Sequence, residues 1–247
     1  MSTAFWYNLL TIVFSNCLIA YGSGSLVLYK GIKVNYTRKI NHFMLFFLPV
    51  FLDVVFPYEK SIGGLVINCI IAVLSLLIYV KPLRTRISFI STMFLSIDRP
   101  EDRPHTLLWL STQMIAGFLI IIPAVMLFNF QGYENLVFIP ILINAIGDGL
   151  AEPVGVRFGR LKYKTHALFS EKKYVRTIEG SLCVLITSIV VIVLFKTYFS
   201  PAEFIAALIT VPLAMTLAEA FAPHTWDTPF LFFIGYLSLY VIKSISL

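Results

Sequence analysis

The sequence predicts an all-α fold, a polytopic transmembrane helix bundle of about eight spans, and three observations predict it. Only 13% of the 247 residues are charged, where a soluble domain carries about 25%. The missing charge leaves long apolar stretches, several of them near the ~20 residues that cross a hydrocarbon core. The 22 Phe and 12 Tyr suit a lipid-facing surface with interfacial belts. No room remains for a separate soluble domain, so a single integral membrane domain over residues 1–247 is expected.

The spans are expected at Phe5–Tyr29, His42–Pro57, Ile62–Val80, Thr106–Phe128, Leu136–Val156, Ser181–Phe199, Phe204–Ala222 and Phe230–Ile245. Seven is the rival count, because the second span is short and contains Asp53. That acid reads as structural, away from the other polar residues. The N-terminus has no charged leader and no cleavage site, so the first span is expected to be a retained helix. Cys17, Cys69 and Cys183 fall inside spans without metal spacing, and buried thiols without disulfides are expected. No internal repeat is evident.

All but Lys60, Lys196 and Lys243 of the 19 Lys and Arg residues fall on alternate loops. Those loops follow the first, third and fifth spans. The positive-inside rule therefore puts them in the cytoplasm and the N-terminus outside. A net charge of +6 placed this way marks topology and phosphate binding, and argues against nucleic acid as a partner. The intervening connections are short, so any loop-borne function belongs to the cytoplasmic face. Asn35-Tyr36-Thr37 matches the glycosylation pattern but falls on that same face.

The chemistry concentrates between Asn144 and Ser181, within a core of about 144–229. Asp148 lies in an apolar span near its cytoplasmic end, where an acid is costly and marks a functional site. Glu152 follows four residues later, on the same face if the helix continues. Gly147 and Gly149 flank Asp148 and permit close approach of backbone or phosphate. A basic segment follows, with Lys172, Lys173 and Arg176. Hard oxygen ligands beside Lys and Arg are the parts of a Mg²⁺-nucleotide site. Taken singly, the same residues serve helix packing and topology; their clustering favours the site. Glu219 and Asp227 fall on the same face by the charge-derived topology. His42 and Trp226 read most simply as interfacial residues.

The run Gly147-Asp148-Gly149-x-Ala151-Glu152-x-x-Gly155-x-x-Phe158-Gly159, then Lys172-Lys173 and Thr177-x-Glu179-Gly180-Ser181, resembles the core of the CTP-dependent lipid kinases. That family includes phytol kinase, dolichol kinase and the fungal-type diacylglycerol kinase; phosphatidate cytidylyltransferases are similar but more distant. Arg38-Lys39-Ile-Asn-His42 resembles the motif that opens the phytol kinase pattern. Arg103 sits in its polar loop, and Glu219 to Pro229 resembles its closing elements. Three departures stand out. Lys162 to Phe169 intervenes between the glycine stretch and the lysines, Pro153 follows Glu152, and Asp227-Thr228 replaces an Asp-Asn pair.

The resemblance implies a kinase acting on a membrane lipid alcohol of the phytol, prenol, polyprenol or diacylglycerol type, with CTP as donor and Mg²⁺ as cofactor. Under it, Asp148 binds the metal with Glu152, Glu219 or Asp227 assisting, and Lys172, Lys173 and Arg176 neutralise the triphosphate. Gly147, Gly149, Thr177, Glu179, Gly180 and Ser181 shape the nucleotide site. Asp148, Glu219 and Lys172 carry the chemistry, with a carboxylate such as Glu219 as base. Composition does not separate CTP from ATP. Two other functions use similar parts: a CDP-lipid synthase attacking the α-phosphate, and a transporter with intramembrane acids on broken helices.

Overall fold

The computed structural model describes residues 1–168 and 170–245, with the side chain of Ser170 excepted. It is 79% helical and divides into two compact units, Met1–Thr112 and Gln113–Leu247.

In the first unit, α1 (Thr3–Lys30) starts at Ser2, whose side chain accepts from the Phe5 N–H, and stops at Gly31 in the left-handed region (φ 63°). It packs against α2 (Val34–Val55) and α5 (Ser88–Leu95). Between them lie α3 (Ile62–Ser75), continued by a 3₁₀ turn to Tyr79, and the single turn α4 (Lys81–Arg84). Asp53 is structural, as expected. It accepts from Asn8 Nδ2 at 3.1 Å and pairs with Lys60 Nζ at 3.0 Å, so it ties α1 to the α2–α3 connection. The Thr37 hydroxyl donates to the Ser96 carbonyl (2.9 Å) and Asn41 Nδ2 to Ser96 Oγ (2.9 Å), which fixes α2 against the end of α5.

The boundary between the units falls within α6 (Thr106–Phe130). The expected fifth span is a broken helix: a 3₁₀ turn (Glu134–Val137), α7 (Phe138–Leu142), a π-helical turn (Ile143–Asp148) and α8 (Gly149–Phe158). A two-stranded antiparallel hairpin follows, β1 (Lys162–Ala167) and β2 (Ser170–Thr177). Then come α9 (Ile178–Leu194), α10 (Pro201–Phe221) and α11 (Asp227–Ile245). Neighbouring helices pack α8 on α9, α9 on α10, and α10 on α11.

Among the described residues six helical segments are long and apolar enough to cross a membrane: Thr3–Lys30, Ile62–Tyr79, Thr106–Phe130, Glu134–Phe158, Pro201–Phe221 and Asp227–Ile245. Exposed apolar side chains such as Phe14, Leu119, Phe130 and Leu213 cover them, a surface that only lipid would tolerate at this extent. The protein is an integral membrane protein. Two of the eight expected spans are not among the six. The second lies in α2, where Arg38, Lys39 and Asp53 bound its apolar run. The sixth is α9, whose 17 residues rise only about 25 Å. All three cysteines are free, but only Cys69 is buried; Cys17 and Cys183 are half-buried.

The end of the second unit where α10 begins is locked by an ion pair. Ser200 and Glu203 form a reciprocal capping box at the α10 N-terminus. Lys243 Nζ from α11 reaches Glu203 Oε2 at 2.9 Å and the Tyr198 carbonyl at 3.0 Å. Both side chains are nearly buried, 12% and 9% exposed. Lys243→Met is therefore expected to destabilise the protein by about 2 kcal/mol or more, because it strands a charged acceptor. Thermal unfolding in detergent should show the loss, and Lys243→Met with Glu203→Gln should recover part of it.

Candidate functional site

The hairpin alternates cleanly. Tyr163 pairs with Arg176 and Thr165 with Tyr174 across the strands, so these four side chains share one face. That face is the packed one: Thr165 and Tyr174 are buried, Tyr163 and Arg176 half-buried or better, while Lys162, Lys164, Lys173 and Val175 are exposed. The Tyr174 ring stacks on His224 at 3.6 Å and 7°. The His224 N–H donates to the His166 carbonyl (2.7 Å). The turn between α10 and α11 is thereby seated on the hairpin. Thr225 in that turn has φ 67°, an unfavourable left-handed conformation for a β-branched residue.

Arg176 is the centre of the site. Its Nη1 donates to Glu219 Oε1 at 2.6 Å and also to the Glu219 carbonyl. Its Nη2 donates to the Ala222 carbonyl at 3.3 Å and to Asp227 Oδ1 at 3.4 Å. The three charged side chains are 12%, 6% and 11% exposed. Burial works against the guanidinium charge, but Asp227, Glu219, Tyr163 and Asp148 outweigh it and hold the Arg176 pKa above its ordinary value. The second oxygen of Glu219 accepts from the Ser181 hydroxyl at 2.8 Å, and Ser181 Oγ lies 2.7 Å from the Tyr163 hydroxyl. Burial, then the nearby Glu219 carboxylate, raise the Tyr163 pKa.

Asp148 ends the π turn and is buried. Glu152 stands one turn on in α8 and is half-buried. The helix does continue through Pro153, so the two acids share a face. Behind them Gln113 Nε2 donates to Thr228 Oγ1 (3.0 Å), which donates to Asn144 Oδ1 (3.5 Å). Thr228 thus joins α6, the π turn and α11 at the position where the resembled pattern has an asparagine.

The residues expected to shape a nucleotide site are largely occupied with packing. Gly147 faces α9, where a Cβ would sit 3.0 Å from Val184 Cα. Gly149 is buried. Thr177 is the N-cap of α9, its hydroxyl accepting from the Gly180 N–H. A Cβ on Gly180 would meet the Ala151 carbonyl oxygen at 2.7 Å, and one on Gly155 the Thr177 hydroxyl at 2.6 Å. Glu179 Oε1 accepts from the Arg160 and Leu161 N–H groups (2.8 and 3.2 Å) and pins the hairpin to α9. Lys172 and Lys173 are exposed on β2, with Lys172 Nζ 5.3 Å from the Tyr174 ring centre.

Arg38, Lys39, His42 and Arg103 belong to the first unit. Lys39 is buried at 3% exposure. His42 packs on Phe46 at 5.0 Å. Arg103 Nε donates to Asp98 Oδ2 at 2.8 Å, and the other Asp98 oxygen accepts from the Thr106 hydroxyl.

Asp227, expected as a metal ligand, and Arg176, expected at the triphosphate, pair with each other. Among the described residues no group of three His, Cys, Asp or Glu is arranged to hold a metal ion. Asp148 and Glu152 remain a two-carboxylate set of the kind that holds a Mg²⁺ brought in on phosphates. Tyr163 and the Tyr174–His224 stack are the parts sequence reasoning missed. Their signal is the alternation Lys162-Tyr163-Lys164-Thr165, which lies in a segment whose basic composition reads as loop. Comparisons with family models, with curated proteins and with solved structures find no match to this chain.

Two outcomes follow from this packing. Arg176→Gln should cost about 3–5 kcal/mol in thermal or denaturant unfolding, as expected when a buried pair loses one partner. Arg176→Lys should recover only part of it, lacking the planar fork. Gly180→Ala should cost about 1–3 kcal/mol by overpacking against the Ala151 carbonyl, measured the same way.

Proposed function

We propose that this protein is a membrane lipid-alcohol kinase. It transfers the γ-phosphate of a nucleoside triphosphate, CTP by the family resemblance, to the hydroxyl of an isoprenoid alcohol or diacylglycerol. The observation that carries the reading is the gathering of Glu219, Asp227 and Asp148 about Arg176, with a lysine-bearing hairpin supplying that arginine. Phosphoryl transfer asks a protein for alignment and charge neutralisation more than for covalent help. Carboxylates fixed in place beside a lysine-bearing strand support that reading.

In this reading Asp148 and Glu152 hold the nucleotide's Mg²⁺, which supplies charge neutralisation at the phosphates. Lys172, on the strand face of Arg176, neutralises the outer phosphates, while Lys173 lies on the opposite face of β2. Arg176 holds Glu219 in place, and Glu219 is the final acceptor of the hydroxyl proton. Apolar helices on either side accommodate the lipid tail, so the alcohol arrives from the bilayer. The full topology proposed is eight crossings, with α2 and α9 as short ones. The basic loops, the hairpin among them, are cytoplasmic by the positive-inside rule.

The test is nucleotide turnover by purified protein in detergent with Mg²⁺, γ-labelled CTP or ATP, and a panel of lipid alcohols. Label transferred to one alcohol with release of nucleoside diphosphate is the expected result. Pyrophosphate release with a lipid phosphate would move the chain to the CDP-lipid synthases. Absence of any nucleotide binding would discard both in favour of transport. In an active preparation, Asp148→Asn should lower kcat by about 100-fold or more while the protein stays folded. Full activity in that variant would remove Asp148 from the chemistry.

A further inference from the structure

The geometry points to Tyr163, through Ser181, as the group that takes the proton of the acceptor hydroxyl and passes it to Glu219. This rests on the kinase reading and assigns a catalytic role to a residue outside the motifs that suggested it.

Glu219 is an unsuitable direct base. Its side chain is 6% exposed. One carboxylate oxygen is held by Arg176 at 2.6 Å and the other by Ser181 at 2.8 Å. A substrate hydroxyl would have to displace one of them. Ser181 is buried as well, at 7% exposure. Tyr163 is the half-buried member of the chain, and it stands on the hairpin beside Arg176.

The hydrogen-bond polarity fixes the direction. Ser181 has one hydroxyl proton and gives it to the nearer and charged of its two acceptors, Glu219 Oε2 at 2.8 Å rather than the Thr177 carbonyl at 3.4 Å. The Tyr163 hydroxyl, 2.7 Å from Ser181 Oγ, must therefore be the donor in that contact. Its phenolic oxygen keeps lone pairs for a further donor. A substrate O–H docked there completes a chain of three donors that all point toward the carboxylate.

The step balances. The acceptor O–H bond breaks and its oxygen bonds to the γ-phosphorus. The bond from that phosphorus to the leaving diphosphate breaks, and the nucleoside diphosphate departs with the electron pair. The substrate proton moves to Tyr163, the Tyr163 proton to Ser181, and the Ser181 proton to Glu219. Protonated Glu219 returns its proton along the same path once product has left. Arg176 stays charged against Asp227 throughout. The charged groups facing the phenol are Glu219 of α10, Arg176 of β2 and Asp227 of α11.

The experiment uses the full chain in detergent with Mg²⁺-CTP and the lipid alcohol that the wild-type protein phosphorylates. Tyr163→Phe and Ser181→Ala are each expected to lower kcat by about 100-fold or more. Nucleotide affinity should remain within about twofold, and the wild-type solvent deuterium isotope effect on kcat should disappear. Fluorotyrosine placed at position 163 keeps the shape and the hydroxyl, and it should shift the pH profile of kcat toward lower pH. An active wild-type enzyme whose Tyr163→Phe form keeps kcat, or loses nucleotide affinity in step with it, overturns the relay alone. So does an unchanged profile with fluorotyrosine. A wild-type chain that transfers phosphate to no alcohol overturns the kinase reading beneath it.

Discussion

Arg176 is the interaction on which the second unit depends. Glu219, Asp227 and Asp148 come from three separate helical segments. Without a cation among them their repulsion would drive those segments apart, and each would carry the penalty of a buried charge. A single planar fork resolves this. It bonds the side chain and carbonyl of Glu219, the carbonyl of Ala222 and the carboxylate of Asp227. A lysine has no such spread of donors. Because the fork comes from a strand, the hairpin register is fixed as well. Arg176 must face inward, which brings its cross-strand partner Tyr163 to the same side. One residue thus sets the hairpin, the α10–α11 turn and the polar contacts at the start of α9.

The close fit of α8 against α9 serves the same end. Gly147, Gly155 and Gly180 leave space that a methyl group would close, and Thr177 sits in it while capping α9. The π turn before Asp148 widens the helix locally. Such turns alter the angular position of everything downstream and recur at functional sites. Here it re-aims Asp148 relative to the apolar residues of α7. A regular α-helix with the same sequence would rotate the acid away from its present position.

Much of this was legible. Acids inside apolar runs announced Asp148 and Glu219, because lipid makes such residues expensive. The apolar runs themselves announced the helices. Three things were not legible. The count of basic residues between Arg157 and Arg176 said only that the segment was charged, and the period-2 alternation within it went unread. Charge alone also cannot separate an arginine that faces a ligand from one that faces its own protein; that depends on the parity of a strand that was not foreseen. Finally, Thr177-x-Glu179-Gly180-Ser181 is a motif with two overlapping tasks. Thr177, Glu179 and Gly180 build a helix start, and only Ser181 reaches the acids.

The charge balance decides how a nucleotide can enter under the kinase reading. Arg176 is already engaged by Glu219 and Asp227, and Asp148 is near enough to help hold its charge. Turning Arg176 toward the phosphates would not help. That move breaks a buried ion pair at about 3–5 kcal/mol, while a charged hydrogen bond to phosphate returns about 1.5–3 kcal/mol. The arginine therefore remains an internal counter-ion, and the cations for the nucleotide must come from elsewhere. Lys172 shares the strand face of Arg176 and is exposed, so under this reading it is the cation placed to approach the phosphates. Its exposure leaves it screened by salt. Under the same reading Asp148 and Glu152 would hold the nucleotide's Mg²⁺, so the phosphate charge would be met by that ion and by Lys172 while Arg176 keeps Glu219 and Asp227.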